Sequence, residues 1–221
     1  MKFLILAGGT GSRLWPLSTK EKPKQFQSFI NERTLLQQAY DRLSFADSSD
    51  IFVSTNQEYE SLVKQQLPNL PDNQIILEPN LKDTGPCIAF ATKYLQSLFG
   101  DNETVSIIYA DQLIKDTAEF KEKLIFGHNL ASIENKIVII EVKAKYPNPN
   151  LGYVKIGNLI KTEDKIEIYE LDHFTEKPDY ETAKKFVESY KYLWNTGFYI
   201  WEIGTFLEKI KLHAPEIDVV L

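Results

Sequence analysis

The sequence predicts an α/β fold, with a mostly parallel, mixed central sheet flanked by helices and a second half that carries hairpins. Three observations predict it. Short apolar runs alternate with amphipathic segments of helical length up to residue 132, which is the pattern of βαβ units. Beyond residue 135 the apolar runs follow one another directly, separated by Pro, Gly and Asn, as hairpins require. No repeat, low-complexity tract or linker interrupts the sequence. Residues 1–221 therefore read as one domain with two halves, 1–135 and 136–221.

The elements follow in order. Residues 2–6 are a buried strand and 34–45 an amphipathic helix. Residues 50–55 are a strand and 58–67 a helix. Residues 74–77 are a strand followed by a helix at 85–99, and 105–109 a strand followed by a helix at 117–132. In the second half, residues 136–144, 153–160 and 165–174 read as successive strands. Helices at 180–190 and 203–213 flank a short strand at 198–201.

Composition narrows the function. The chain has 221 residues, is 43% hydrophobic, and holds no apolar run of membrane-spanning length. The start, MKFLILAGG, is too short an apolar run for a signal peptide and reads as the first strand. The single cysteine, Cys87, forms no internal disulfide and suits a reducing cytosol, so a cytoplasmic location is expected. A net charge of −6 without a basic block argues against nucleic acid as a partner. An anionic ligand would have to be held by local cations.

Such cations occur in the stretch LAGGTGSRLWPLSTKEKPKQF, residues 6–26. Gly8, Gly9 and Gly11 follow the first strand, and glycine lets backbone N–H groups approach an anion without an intervening Cβ. The stretch lacks the Gly-Lys of a P-loop, and Leu14 stands where a dinucleotide motif has its third glycine. Arg13 suits a forked grip on phosphate oxygens and Lys24 a point charge. Separately, the glycines could be a plain turn and each cation a solvated residue. Together they describe a triphosphate site.

These residues resemble the N-terminal motif of sugar-nucleotide pyrophosphorylases, and Leu-Trp-Pro-Leu-Ser with Pro-Lys-Gln-Phe resembles the mannose-1-phosphate guanylyltransferases among them. Further stretches agree in order: Glu78 to Cys87 is similar to EPxxRNTAPA, Ala110-Asp111-Gln112 to Ala-Asp-His, Phe174 to Pro178 to FxEKP, and Trp194 to Gly197 to WNSG. The resemblance implies a Rossmann-like nucleotidyltransferase fold, with a nucleotide-binding half and a sugar-phosphate-binding half. The implied reaction joins GTP and mannose 1-phosphate to give GDP-mannose and pyrophosphate with Mg²⁺ as cofactor; a homodimer is left open.

By the same resemblance, Leu6, Ala7, Gly8, Gly9, Thr10, Gly11, Ser12 and Arg13 hold the nucleotide, and Glu78 and Thr84 lie beside its base. A carboxylate can accept from guanine N1–H and the exocyclic amine, a pair adenine does not offer. The plain alternatives are a solvated strand end for Glu78 and a helix cap for Thr84. Asp111, at the loop end of a buried strand, is the implied Mg²⁺ ligand; its plain alternative is a turn aspartate. Lys24, Gly152, Glu176, Lys177 and Asn195 are implied for the sugar phosphate, and Arg13, Lys24, Asp111 and Lys177 for catalysis. Alone, Lys177 would be a surface lysine and Asn195-Thr196-Gly197 a turn. Trp15, Trp194 and Trp201 read as packing residues, and His128, His173 and His213 are too scattered to make a metal set.

The sequence departs from the family in places. Gln112 stands for its usual His and Lys82 for its usual Arg. The Asp-x-Gly-Ser/Thr-Trp stretch that carries the family's second metal aspartate does not occur in residues 1–221, and the C-terminal β-helix and cupin domains are expected to be absent. Two alternatives follow: a pyrophosphorylase for another base or sugar, and a nucleotide- or sugar-phosphate-binding module with little catalysis.

Overall fold

The computed structural model describes residues 1–9, 11, 14–79 and 83–221. The chain forms two compact units, one of residues 1–138 with 199–221 and one of residues 139–198. None of the described helices is long and apolar enough to cross a membrane.

Four parallel strands build the first unit: β1 (Lys2–Leu6), β2 (Ile51–Asn56), β3 (Ile75–Glu78) and β4 (Thr104–Tyr109), in the order β3-β2-β1-β4. Their registers set Leu4 beside Phe52 on one side and Ile107 on the other. Phe3, Leu4 and Ile5 are fully buried, as expected of strands covered on both faces. The crossovers are α1 (Leu35–Asp41), α2 (Glu60–Gln66) and α3 (Thr84–Phe99), and α4 (Thr117–Glu134) follows β4. A reciprocal capping box, Thr34 with Gln37, starts α1. Both α1 and α2 are shorter than the sequence pattern suggested. Bonds from Leu43 to Tyr40 and from Ser44 to Asp41 tighten the end of α1, and a 3₁₀ turn at 57–59 precedes α2.

The second unit holds most of β5 (Val138–Lys143), then β6 (Tyr153–Glu163), β7 (Ile166–Thr175) and α5 (Tyr180–Ser189). Asp164 and Lys165 join β6 to β7 with φ of 48° and 66°, the left-handed pair of a type I′ hairpin turn. β6 also pairs with the start of β8 (Tyr192–Glu202), Tyr153 opposite Trp194. Tyr153 is fully buried, and its hydroxyl donates to the Asn148 carbonyl and accepts from the Asn148 amide. That pair ties down the turn at 147–150 just before Gly152.

Three expectations are corrected. The strand read at 198–201 is eleven residues long and takes in Asn195-Thr196-Gly197, which is therefore not a free-standing turn. Residues 199–221, grouped by sequence with the second half, belong to the first unit. There Ile200 and Trp201 pair antiparallel with β4, and α6 (Ile203–His213) and α7 (Pro215–Asp218) follow. Trp201 is buried and stacks on Phe206, whereas Trp15 is 77% exposed and packs no core.

Candidate functional site

Because β1, β3 and β4 run parallel, the glycine loop, Glu78 and Asp111 all lie at the carboxyl edge of the first unit's sheet, where open α/β sheets bind ligands. The ladder extends one step into the loop: the Ala7 amide donates to Ser54 and the Ala110 amide to Leu6. Ala7 is buried, and its carbonyl accepts from Thr55 Oγ1 and from Gln25 Nε2. Gln25 Nε2 donates to the Gly9 carbonyl as well, at 2.8 Å. Two bonds from one buried amide thus fix the loop's outgoing direction. Gly11 has φ +66°, and a Cβ there would collide with Ser18 Oγ and stand 3.1 Å from Lys24 Cγ. Glycine is needed there on both counts. Thr10, Ser12 and Arg13, named from sequence, lie outside the described residues, as does Lys82.

Glu78 is not a solvated strand end. It is 5% exposed, and its Oε1 accepts from Cys87 Sγ at 2.9 Å and from Ser54 Oγ at 3.4 Å. A Cβ on Gly8 would stand 3.0 Å from that same oxygen. The missing side chain at Gly8 is what lets the carboxylate sit against the loop. Cys87 comes from the first turn of α3, and burial together with Glu78 pushes its thiol pKa well up. The turn into α3 passes through Asp83 at φ +67°. Thr84 is the first residue of the helix rather than its cap. It is exposed, with its side chain against Tyr109, whose hydroxyl pKa burial raises to about 12.

Lys24 opens a 3₁₀ turn at 24–26, and its amide donates to Ser18 Oγ at 3.0 Å. Its ammonium pairs with Asp111 Oδ2, both side chains about 30% exposed. The pair lies one residue beyond the buried Ala110. Among the described residues no cluster of three or more His, Cys, Asp or Glu could hold a metal. One part-exposed carboxylate with a lysine on one oxygen is no cage for a free ion. It does fit Mg²⁺ that arrives on a triphosphate with its waters, since that ion prefers few carboxylates and phosphate oxygens.

The second unit gathers another group. A Cβ on Gly152 would stand 2.6 Å from Glu176 Oε2 and 3.3 Å from Asn195 Cβ, so the three residues meet closely. The Asn195 amide donates to the Gly152 carbonyl at 2.8 Å. Lys177 has φ +44° and pairs with Glu176 Oε1 at 2.6 Å. Its ammonium and the Glu176 carboxylate are largely exposed, where such a pair contributes little to stability.

Two supporting residues escaped the sequence reading. Gln25 lies inside the quoted Pro-Lys-Gln-Phe, and a polar residue beside the apolar Phe26 was the available signal. Cys87 stands nine residues from Glu78, and that spacing across the strand-to-helix turn is its signal in the sequence.

Residues 2–221 match the Nucleotidyl transferase family. The chain is 33% identical over 217 residues to the mannose-1-phosphate guanylyltransferase of Escherichia coli, covering 97% of this chain and 47% of the relative. It is 35% identical over 216 residues to the alginate biosynthesis protein AlgA of Pseudomonas fluorescens, covering 97% and 44%. The chain thus spans about half the length of these curated relatives. Its fold superposes on the crystal structure of a mannose-1-phosphate geranyltransferase from Thermus thermophilus with a TM-score of 0.86 and 26% identity, over 99% of this chain and 62% of that one. With a parallel sheet whose carboxyl edge carries the glycine loop, Glu78 and the Lys24–Asp111 pair, the chain belongs to the nucleotidyl transferase family.

Proposed function

We propose that the protein is a mannose-1-phosphate guanylyltransferase, forming GDP-mannose and pyrophosphate from GTP and mannose 1-phosphate. The observation that carries the reading is the run of close neighbours along one sheet edge: Glu78 against Gly8, Gly11 against Lys24, and Lys24 on Asp111. A carboxylate able to accept from guanine thus neighbours Gly8, and a cation paired with a hard oxygen ligand neighbours Gly11, which supports this reading. The name of the relative at 33% identity, a mannose-1-phosphate guanylyltransferase, supports the same substrates.

In this reading a phosphate oxygen of mannose 1-phosphate attacks the α-phosphorus of GTP in line and pyrophosphate leaves. The attacker is already an anion, so no protein nucleophile is required. Positioning and charge neutralisation supply the catalysis. Loop amides and Arg13 meet the triphosphate, Lys24 neutralises charge near the α-phosphate, and Lys177 receives the sugar phosphate. Glu176 and Asn195, gathered at Gly152, are suited to sugar hydroxyls. Asp111 would hold Mg²⁺, which when bound neutralises phosphate charge during transfer.

The test is pyrophosphate release with GTP, ATP and UTP against mannose 1-phosphate and glucose 1-phosphate, with and without Mg²⁺. GTP with mannose 1-phosphate should exceed every other pair by at least roughly tenfold, as expected when one base-reading group is satisfied and the rival base leaves it unpaired. Binding of GTP without release under any condition would make the chain a binding module. A higher rate with another pair would reassign the substrate.

A further inference from the structure

In strand β8, next to the proposed sugar site, three successive backbone amides donate to side chains. The Gly197 amide donates to Asn195 Oδ1 at 3.0 Å and the Phe198 amide to Thr196 Oγ1 at 3.2 Å. The Thr196 amide donates to Glu141 Oε2 at 2.7 Å. Three consecutive backbone amides are therefore taken by side chains, and Gly197 sits at φ +78°. Thr196 Oγ1 also donates to the Ile140 carbonyl. Of the three acceptors, only Glu141 comes from another strand, β5, fifty-five residues away in sequence. The other two belong to the kinked segment itself.

Glu141 has no role in the proposed chemistry, yet it is an awkward residue to bury. Its second oxygen, Oε1, is inaccessible and has no hydrogen-bond partner among the described residues. Burial raises the carboxyl pKa to about 8 against the opposing pull of the Thr196 bonds, so the group keeps its proton at neutral pH. A neutral acid accepts through one oxygen, and here that oxygen holds the Thr196 amide. Since Oε1 is inaccessible, the side chain presents nothing to a ligand. What it can do is fix the backbone that carries Asn195.

We propose that Glu141 is a positioning residue for the sugar phosphate: by accepting the Thr196 amide it holds the kink in β8 that sets Asn195 against Gly152 and Glu176. The inference rests on the reading of that cluster as the sugar site. Glutamine at 141 keeps an acceptor oxygen at the same reach, whereas leucine fills the space and strands the Thr196 amide.

The test is calorimetric binding of mannose 1-phosphate and of GDP to the full chain and its Glu141→Leu, Glu141→Gln and Asn195→Ala variants. Glu141→Leu should weaken mannose 1-phosphate about five- to tenfold, the worth of roughly one hydrogen bond, and leave GDP within twofold. Glu141→Gln should restore sugar-phosphate binding. The ¹H–¹⁵N resonance of the Thr196 amide should move far upfield in Glu141→Leu and little in Glu141→Gln. If leucine and glutamine behave alike, or GDP and mannose 1-phosphate weaken together, the inference is overturned. If Asn195→Ala weakens mannose 1-phosphate and Glu141→Leu does not, the inference alone falls. If Asn195→Ala binds it normally, the sugar-site reading fails and takes the inference with it.

Discussion

At the scale of the residue, the site depends on carboxylates held by close partners, a lysine on Asp111 and a thiol and a hydroxyl on Glu78. Asp111 is the sharpest case, because its carboxylate carries a lysine and is also the proposed metal ligand. Asp111→Asn keeps the shape and removes the charge. It should abolish Mg²⁺-dependent pyrophosphate release while GDP binding without metal stays within about twofold, since Glu78 and the glycine loop are untouched. Normal turnover by the variant would leave Asp111 a turn residue. Cys87 gives a second prediction. Its thiol pKa is pushed up by burial and by Glu78, so little thiolate exists at pH 8. An aromatic disulfide reagent should label it slowly in the native protein and rapidly in guanidinium. Saturating GTP should slow native labelling further if Glu78 meets the base. Labelling at the denatured rate in the native state would show that the thiol is not held as described.

At the scale of the element, the strands buried on both faces were legible in the sequence, whereas β8 was legible only at residues 198–201. Residues 2–6 and 105–109 are near-continuous apolar runs whose burial needs no knowledge of their partners, and they form β1 and β4. In β8 the Asn-Thr-Gly run carries turn chemistry, and local preference points away from a strand. Strand β5 pairs with β8, and Glu141 and the segment's own side chains accept from the three amides of residues 196–198. That acceptor lies on another strand, so no local pattern could reveal it. The site divides the same way. The glycine loop, Glu78, Lys24 and Asp111 could be named from motifs; Gln25, Cys87 and Glu141 act through partners elsewhere in the chain. Glu141 should also leave a mark on stability. Its carboxyl titrates near 4.5 ordinarily and near 8 in the fold. Between those values the folded state binds a proton that the unfolded chain has released, so stability falls as pH rises across that window. Glu141→Gln removes the term. Thermal unfolding from pH 5 to 8 should show a smaller loss of Tm for the variant. Equal slopes would mean that Glu141 is ionised in the fold.

At the scale of the whole molecule, the candidate groups fall into two units. Glu78, the glycine loop, Lys24 and Asp111 belong to the first, and Gly152, Glu176, Lys177 and Asn195 to the second. If the first reads the nucleotide and the second the sugar phosphate, each substrate's affinity should answer to substitutions in one unit only. Glu78→Gln leaves a single acceptor where guanine offers two donors. It should weaken GDP by about tenfold and narrow the preference for GTP over ITP, whose base lacks the exocyclic amine. Gly152→Ala pushes a methyl into Glu176 Oε2, 2.6 Å from where its carbon would sit. It should weaken mannose 1-phosphate by a similar factor and leave GDP unchanged. The two clusters share no residue, so their effects should add as free energies in the double variant to within about 0.5 kcal/mol. Measured as kcat/KM for the complete reaction, the double variant's loss should therefore equal the product of the single losses to within about twofold. A loss much smaller than that product would mean that one substitution already disrupts what the other was meant to probe. The division of labour between the units would then be wrong, even if both variants lower activity.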